Sequence, residues 1–550
     1  MKFSPNKHHI TKKHLTFTPL SPPFSFTTMS SPFKSIAISL SGGGYRATAF
    51  HLGVLSYLNH VDYEETTLLQ NVKLISTISG GTFTGVSYVL TLAQGNDFKT
   101  CFDKLYYLLQ EDDLVEEALK KVNHSSKWNA QEKNKNLINA FSEIYQAKFC
   151  DNQHLALLLK GNNLGHLDEF CFNATDLYNT LPFRFQKTGK MGNGKMNIDV
   201  AAAAEIRLGD IMAASSCFPG GFEPLAFPQD FIQEKNSTLA AYWKSQNYPK
   251  NIALMDGGIL DNQGIESVEL EGKKDIGTYI VSDVSSRNAQ PFQFPATIKP
   301  GLIGELTYKG LRVLLAVIAA LGIVGIVAFW NSYQVLLILS ALVTTFSSLI
   351  LFAFFMVFRA INRAVAQELG SEHETPEILK HLSILKRTPL SILWNLIAVR
   401  LFSLSDILEN TFMSRIRKLQ VSSLYESEIW KNIVISNNIY SLFTDYKTAK
   451  DLPLPSPQIL STLQKAATMP TALWFTNEEK EEGMLDNLII SGQINLCFQI
   501  LQYLIKKEKT FPPEDRNALE ILKAKVLADY KHFIADEKWL LNEIKAPRIL

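Results

Sequence analysis

Along the first 290 residues, apolar positions switch repeatedly between two patterns. Short apolar runs read as buried strands: Ile36–Leu40, Lys73–Ile78, Phe170–Leu177, Ile252–Met255 and Tyr279–Asp283. Longer runs with helical spacing lie between them: Ala47–Leu58, Phe83–Leu92, Leu114–Val122, Leu137–Phe149 and Ile206–Ser216. Phe183-Arg184-Phe185 and Ile198-Asp199-Val200 add short strand candidates. Strands that alternate with helices predict an α/β domain on a mostly parallel sheet, with any site at the carboxyl ends of the strands. The helical stretch 97–165 reads either as plain packing or as a lid.

Past Pro300 the pattern changes. Val313–Trp330 and Val335–Phe358 are uncharged and apolar throughout. As helices they extend roughly 27 and 36 Å, enough to cross a bilayer core. Only Asn331-Ser332-Tyr333-Gln334 separates them, which predicts a tight transmembrane hairpin. Lys309 and Arg312 precede it, and Arg359 and Arg363 follow it. Positive charge on both flanks puts both outer ends on the cytoplasmic side, with Trp330 and Tyr333 at the far interface. From Ala360 onward the chain is amphipathic and helix-rich. Leu385–Pro389 reads as a solvated break, Glu478–Glu482 as a solvated turn before a Leu485–Leu504 helix, and Trp430–Ile435 as one more strand.

The whole chain has 550 residues, so more than one structural region is expected. Its 54 basic and 53 acidic residues nearly cancel, which gives no reason to expect a nucleic-acid partner. Five scattered cysteines without a Cys-x-x-Cys form neither a metal pattern nor a disulfide framework. Residues 1–30 are basic and polar without an apolar core, and read as a disordered tail rather than a secretory signal. His8-His9 belongs to that tail.

Chemistry concentrates at three of the strand ends. The Lys73–Ile78 strand stops at Ser79-Gly80-Gly81 and a helix follows. That order places Ser79 on a sharp turn at a helix N-terminus, where developing negative charge is stabilised. Ser41-Gly42-Gly43-Gly44-Tyr45-Arg46 joins the first strand to its helix. Glycines at a helix start expose backbone N–H groups to an anion, either the oxyanion of an acyl intermediate or a phosphate. The Gly-Lys-Ser/Thr ending of a nucleotide loop is missing, as is Gly-x-Gly-x-x-Gly. Arg46 either steadies the loop, attracts an anionic head group, or is an exposed helix residue. Finally, Asp256-Gly257-Gly258 ends a strand on a carboxylate, a candidate general base beside a serine. His51 reads as a packed or surface histidine, and His124 and His166 have no motif around them.

Taken in order, these segments resemble the patatin-like phospholipase family, in a bacterial-type form with an inserted transmembrane hairpin. The matching elements are Ser41–Arg46 for its glycine-rich loop, Ser79-Gly80-Gly81 for its nucleophile elbow, Ala213–Pro219 for its Ala-Ser-small-Pro stretch, and Asp256-Gly257-Gly258. They span roughly residues 33–290. Met469–Phe475 is a weaker echo, which suggests that the hairpin interrupts the catalytic domain and that the tail packs back onto it. One departure is Thr77, which stands where the family's elbow has glycine. Its β-branched side chain is expected to widen the turn.

The resemblance implies a domain plan. A tail over 1–30 precedes a patatin-like acyl hydrolase domain over 31–300. A hairpin over 311–360 is followed by a helix-rich region over 361–550. It also implies a Ser79–Asp256 dyad, an oxyanion hole from Gly42, Gly43, Gly44 and Gly80, and Gly81 as a glycine of the elbow. No metal or cofactor is implied. The implied substrate is a lipid ester and the implied site is the cytoplasmic face of a membrane. Two rivals remain open at this point: a catalytically silent membrane scaffold or lipid-binding protein on the same fold, and a nucleotide-binding protein that uses the triple glycine.

Overall fold

The computed structural model describes residues 31–547 apart from 112–113, 124–127, 129–132, 162, 190, 235, 273–274, 286–303, 332, 369–386 and 450–451. The basic tail with His8 and His9, and also His124, lie outside the described residues. The chain divides into two compact units. One is built from residues up to Arg287 and from Ile416 onward, and the other runs from Asn288 to Arg415.

Among the described residues, ten strands form the sheet of the first unit. The parallel part runs, in spatial order, β12 (Val434–Asn438), β11 (Thr278–Asp283), β1 (Ile36–Leu40), β4 (Val72–Ile78) and β5 (Glu169–Asp176). An antiparallel extension follows through β6 (Leu181–Gln186), β7 (Met191–Gly192) and β8 (Asn197–Ile198). β10 (Ile252–Asp256) pairs antiparallel with β5 and with β9 (Leu225–Phe227). β2 (Asp62–Tyr63) and β3 (Thr66–Thr67) make a separate small hairpin. The sheet is thus mostly parallel and flanked by helices, as the strand–helix alternation predicts. Strands β1 and β5 are buried along their whole length, as both faces of such a sheet require.

Two helices carry the glycine-bearing turns. Helix α1 (Gly44–His60) follows β1 and helix α2 (Gly80–Ala93) follows β4. Both are buried nearly all round, so neither shows an amphipathic stripe. A third long apolar helix, Met484–Lys507, crosses α1 with backbones in contact. A Cβ on Gly53 would stand 2.0 Å from the Ile489 carbonyl oxygen, and one on Gly492 would stand 2.1 Å from that of Phe50. Glycine at both crossing points is what lets the two helices approach so closely.

Two local expectations are corrected. Val200 does not extend a strand, because the Asp199 carboxylate accepts the Ala202 N–H at 2.6 Å and starts a short helix, Val200–Ala203. The acidic run 478–482 is not a plain turn. Thr476 and Glu479 form a capping box, so Asn477–Glu481 is helical before the next helix begins.

The second unit contains two helices long and apolar enough to cross a membrane, Tyr308–Phe329 and Gln334–Glu368. They pack against each other through small residues. A Cβ on Gly322 would stand 2.2 Å from Thr344 Oγ1, and one on Gly325 would stand 2.4 Å from Ser340 Oγ. Their outer faces are apolar and exposed, with Val327 at 73% and Val335 at 72%.

Candidate active site

Strand β5 explains why two residues 177 positions apart meet. Along one edge of β5, β4 runs parallel and ends with Ile78 opposite Asn173. On the same edge β10 arrives from the other direction and ends with Asp256 opposite Ala174, the next residue of β5. The two strands therefore abut end to end. Ser79 leaves β4 where Asp256 finishes β10, which brings the serine hydroxyl near enough to the Asp256 carboxyl to favour its charged form. Asp256 is held on its own backbone, where its carbonyl accepts Thr175 Oγ1 at 2.8 Å and its N–H donates to the Cys217 carbonyl at 3.0 Å.

Burial pushes the Asp256 carboxyl up to about 6, against the Gly258 N–H at 2.7 Å and the Ser79 hydroxyl, which both favour the charged form. A carboxylate in that range is a stronger base near neutral pH than an exposed one. Ser79 keeps 9% of its surface exposed and has φ 48° and ψ −118°. Serine rarely adopts a left-handed backbone. That strain is the mark of a turn forced by its surroundings.

The surroundings that force it are hydroxyl groups. The Ser79 N–H donates to Ser215 Oγ at 2.9 Å, and Ser215 donates to the Asn173 carbonyl at 2.7 Å. With its proton so used, Ser215 accepts from Thr82 at 2.8 Å, and Thr82 in turn accepts from Thr77 at 2.9 Å. Thr77 thus begins a directed chain of hydrogen bonds beneath the elbow. The expected widening does not occur, because the space is left on the opposite element: a Cβ on Gly85 of α2 would stand 2.4 Å from Thr77 Cγ2. The close crossing of strand and helix survives with the glycine moved from strand to helix.

The glycine loop is clasped from three directions. The Gly42 N–H donates to the Asn262 carbonyl at 3.0 Å. It is therefore engaged, which corrects its placement among the oxyanion donors. Gly43 (φ 145°) and Gly44 (φ 59°) follow in conformations open to glycine. Gly44 and Gly80 are the first residues of α1 and α2, whose leading N–H groups have no intrahelical partner. The two turns touch: a Cβ on Gly80 would stand 2.7 Å from the Gly44 nitrogen, and Thr48 Oγ1 donates to the carbonyls of both Gly80 and Gly44, at 2.9 and 3.1 Å. Gly81 lies against the end of β1, where a Cβ would come within 2.3 Å of the Leu40 carbonyl oxygen. Gly43, Gly44, Gly80, Ser79 and Asp256 are thereby gathered at one rim of the sheet.

Arg46 is neither exposed nor turned toward solvent. Its guanidinium donates to the Met469 carbonyl at 2.5 Å and to Thr471 Oγ1 at 3.2 Å, and the Tyr45 N–H donates to the Ala472 carbonyl at 2.8 Å. Burial lowers Arg46 to about 10, against the pull of Asp283, so it stays charged at neutral pH. Of its three readings, loop support is the one the contacts match. His51 is fully buried. Its Nε2 lies 3.1 Å from the Ser41 carbonyl, which can only accept, so Nδ1 is left to accept from Ser282 Oγ, also at 3.1 Å. Burial pushes its pKa down to about 4, and the neutral ring is a brace for the loop rather than a base. His166 lies elsewhere, on Tyr88 Oη at 2.9 Å.

Sequence reasoning assigned no role to several of these supports. Ser215 lies in a quoted motif and Thr82 directly follows another, while Asn262 lies four residues past Gly258, yet nothing in a lone chain says which hydroxyl or carbonyl reaches the elbow. A deeper support is a buried charge cluster. Asp210 takes hydrogen bonds from Lys133, Ser142 and Arg207, and Arg207 also reaches Glu143 at 2.5 Å. Burial alone would raise Asp210, but Arg207 and Lys133 outweigh it and hold the carboxyl below its usual range. The cluster fixes the start of the Leu208–Ser216 helix, which carries Ser215. Among the described residues, no group of three His, Cys, Asp or Glu is arranged to hold a metal ion.

A family model described as patatin-like phospholipase matches residues 38–268. Comparison with curated protein sequences gave no match. Among solved structures, human GIVD cytosolic phospholipase A2 is similar over 46% of this chain and 43% of that one, at 16% identity and a TM-score of 0.31. The same human protein in complex with methyl gamma-linolenyl fluorophosphonate is similar over 46% and 41%, at 14% identity and a TM-score of 0.30. This chain therefore spans less than half the length of those structures.

Proposed function

Starting from a patatin-like phospholipase domain over residues 38–268, we propose that this protein is a membrane-anchored serine acyl hydrolase of the phospholipase A or lysophospholipase kind. Its substrates are lipid esters, taken from the cytoplasmic face. The observation that supports the reading is the abutment of β4 and β10 on β5, from whose adjoining ends Ser79 and Asp256 come.

In the first half-reaction Asp256 takes the Ser79 proton as Oγ attacks the ester carbonyl. The carbonyl oxygen becomes an oxyanion beside the N–H groups of Gly43, Gly44 and Gly80, which were set in place by folding and need no rearrangement. The tetrahedral intermediate collapses, the C–O bond to the alcohol breaks, and Asp256 returns its proton to that alcohol. In the second half-reaction Asp256 takes a proton from water, the hydroxide attacks the acyl-serine, and the fatty acid leaves as Ser79 recovers its proton. Arg46 and His51 brace the loop without touching the reacting atoms.

The two apolar helices of the second unit support the anchoring part of this reading. Basic residues on both flanks of that hairpin support the cytoplasmic orientation. A lipid-hydrolysis panel on the reconstituted chain tests it, with the wild type beside Ser79→Ala. Fatty-acid release from a phospholipid or lysophospholipid that disappears in Ser79→Ala is expected. A folded wild type inert on every lipid ester would favour a binding scaffold instead.

A further inference from the structure

The sheet limits how often the chain can cross a bilayer. β11 and β12 are neighbouring parallel strands, paired from Tyr279 with Val434 to Asp283 with Asn438. The chain leaves this unit after Arg287 and re-enters it at Ile416. Both points belong to one folded body, so they lie on one side of any membrane. The number of crossings between them must be even.

The hairpin accounts for two. A further apolar helix, Leu390–Asp406, remains in the same stretch. If it crossed, β12 would be on the wrong side to pair with β11. Its 17 residues also extend only about 25 Å, short of the hydrocarbon core. Yet it is not built for water. Trp394, Ile397, Leu401 and Leu404 are exposed, with Trp394 at 58% and Leu401 at 62%. At 100° per residue these four fall within an arc of about 80°. The opposite side is mixed, with Ser391, Asn395, Ser403 and Asp406 among the exposed Ile392, Leu396 and Phe402. Arg400, beside the stripe, is long enough to keep its charge among head groups while its stem lies along apolar surface.

The start of this helix is tied to the start of the hairpin. Pro389 forms a bridge with Thr307, the Leu390 N–H donates to the Leu306 carbonyl at 3.0 Å, and the Ser391 N–H donates to that of Gly304 at 3.1 Å. Its first turn therefore stands at the level where the Tyr308–Phe329 helix begins, next to Lys309 and Arg312, where an interface is expected.

Resting on the membrane-anchored reading, we propose that Leu390–Asp406 is an interfacial helix. It lies in the plane of the leaflet on the side of the catalytic sheet, with the Trp394–Ile397–Leu401–Leu404 stripe among the acyl chains. Such a helix holds the sheet unit against the surface from which lipid esters are drawn.

The five native cysteines are all buried, so a cysteine introduced on the surface can be labelled selectively. Leu401→Cys and Ile397→Cys, with Phe346→Cys in the hairpin as reference, are labelled with an environment-sensitive fluorophore. The full chain is then reconstituted into phosphatidylcholine–phosphatidylglycerol vesicles that carry a nitroxide either near the head group or near the acyl terminus. Shallow nitroxide is expected to quench positions 401 and 397 about twofold more than deep nitroxide, with the order reversed at 346. Stronger deep quenching at 401 and 397 would overturn the proposal in favour of a crossing or re-entrant helix. No quenching there while 346 is quenched would overturn it in favour of a water- or protein-facing helix and leave the hairpin standing. No quenching at any of the three would remove the anchoring reading together with the proposal.

Discussion

Tyr308–Phe329 and Met484–Lys507 are helices of similar length, both apolar enough to cross a bilayer, and they have opposite surroundings. The first is almost wholly exposed apart from its contact with the adjoining helix. The second is buried against α1 and the strands. What separates them is the direction of their polar groups. In the hairpin, Thr344, Thr345 and Ser347 each donate to a carbonyl four residues back on their own helix, so these three hydroxyls need no partner outside it. In Met484–Lys507, Gln493 reaches Ser56 Oγ at 2.9 Å, while Asn495 donates to the Ile439 carbonyl at 3.0 Å and accepts the Leu442 N–H at 2.8 Å. Amides that reach sideways require protein neighbours. Both helices are apolar enough for a span, and hydrogen-bond direction identifies the one that faces protein.

The comparison assigns chemistry to the sheet unit and location to the hairpin, and the largest expected effect would break that division. Asp256→Asn should lower lipid hydrolysis by about a thousandfold or more while the chain stays folded. Deleting residues 311–360 should release the protein from membranes yet leave turnover of a soluble short-chain ester within about tenfold of wild type. Loss of that activity on deletion would make the hairpin part of the site.

A smaller effect sharpens the contrast in packing. Gly492→Ala forces a methyl group into the Phe50 carbonyl, where neither backbone can yield, and should cost about 2–4 kcal/mol. Gly322→Ala meets first the movable Thr344 hydroxyl and should cost about 1 kcal/mol or less. Denaturant unfolding of both variants in detergent measures the gap, and equal losses would dissolve the distinction.

The smallest effect concerns stability against pH. Asp256 is raised when folded, so between about pH 4 and 6 the folded state holds a proton that the unfolded state has lost. Stability from this group therefore falls as pH rises through that window. Asp256→Asn should be more stable than wild type by about 1–3 kcal/mol at pH 7, with the advantage gone below pH 4. An advantage that grows on acidification would contradict the burial argument.

Much of this was legible in the chain. Short apolar runs ending in Ser-Gly-Gly, Gly-Gly-Gly and Asp-Gly-Gly located the strands and all three turns, because tight bends leave glycine in the sequence. The meeting of Ser79 with Asp256 was not legible, since it depends on β10 arriving antiparallel on the edge that β4 vacates. Periodicity reports which face a strand buries but not which way it runs. Gly42 was misassigned because an N–H engaged by the distant Asn262 carbonyl has no sequence signature. Thr77 was read as a defect because its compensation, Gly85, lies on another element. Arg46 could be decided only by a segment more than 420 residues later.

The central claim is that Ser79 is a nucleophile activated by Asp256, and a serine-reactive fluorophosphonate probe on the folded, full-length protein tests it most directly. Labelling is expected in the wild type, at one site that maps to Ser79, absent in Ser79→Ala and much slower in Asp256→Asn. Undiminished labelling of Ser79→Ala, or a folded wild type that does not label at all, would contradict the account.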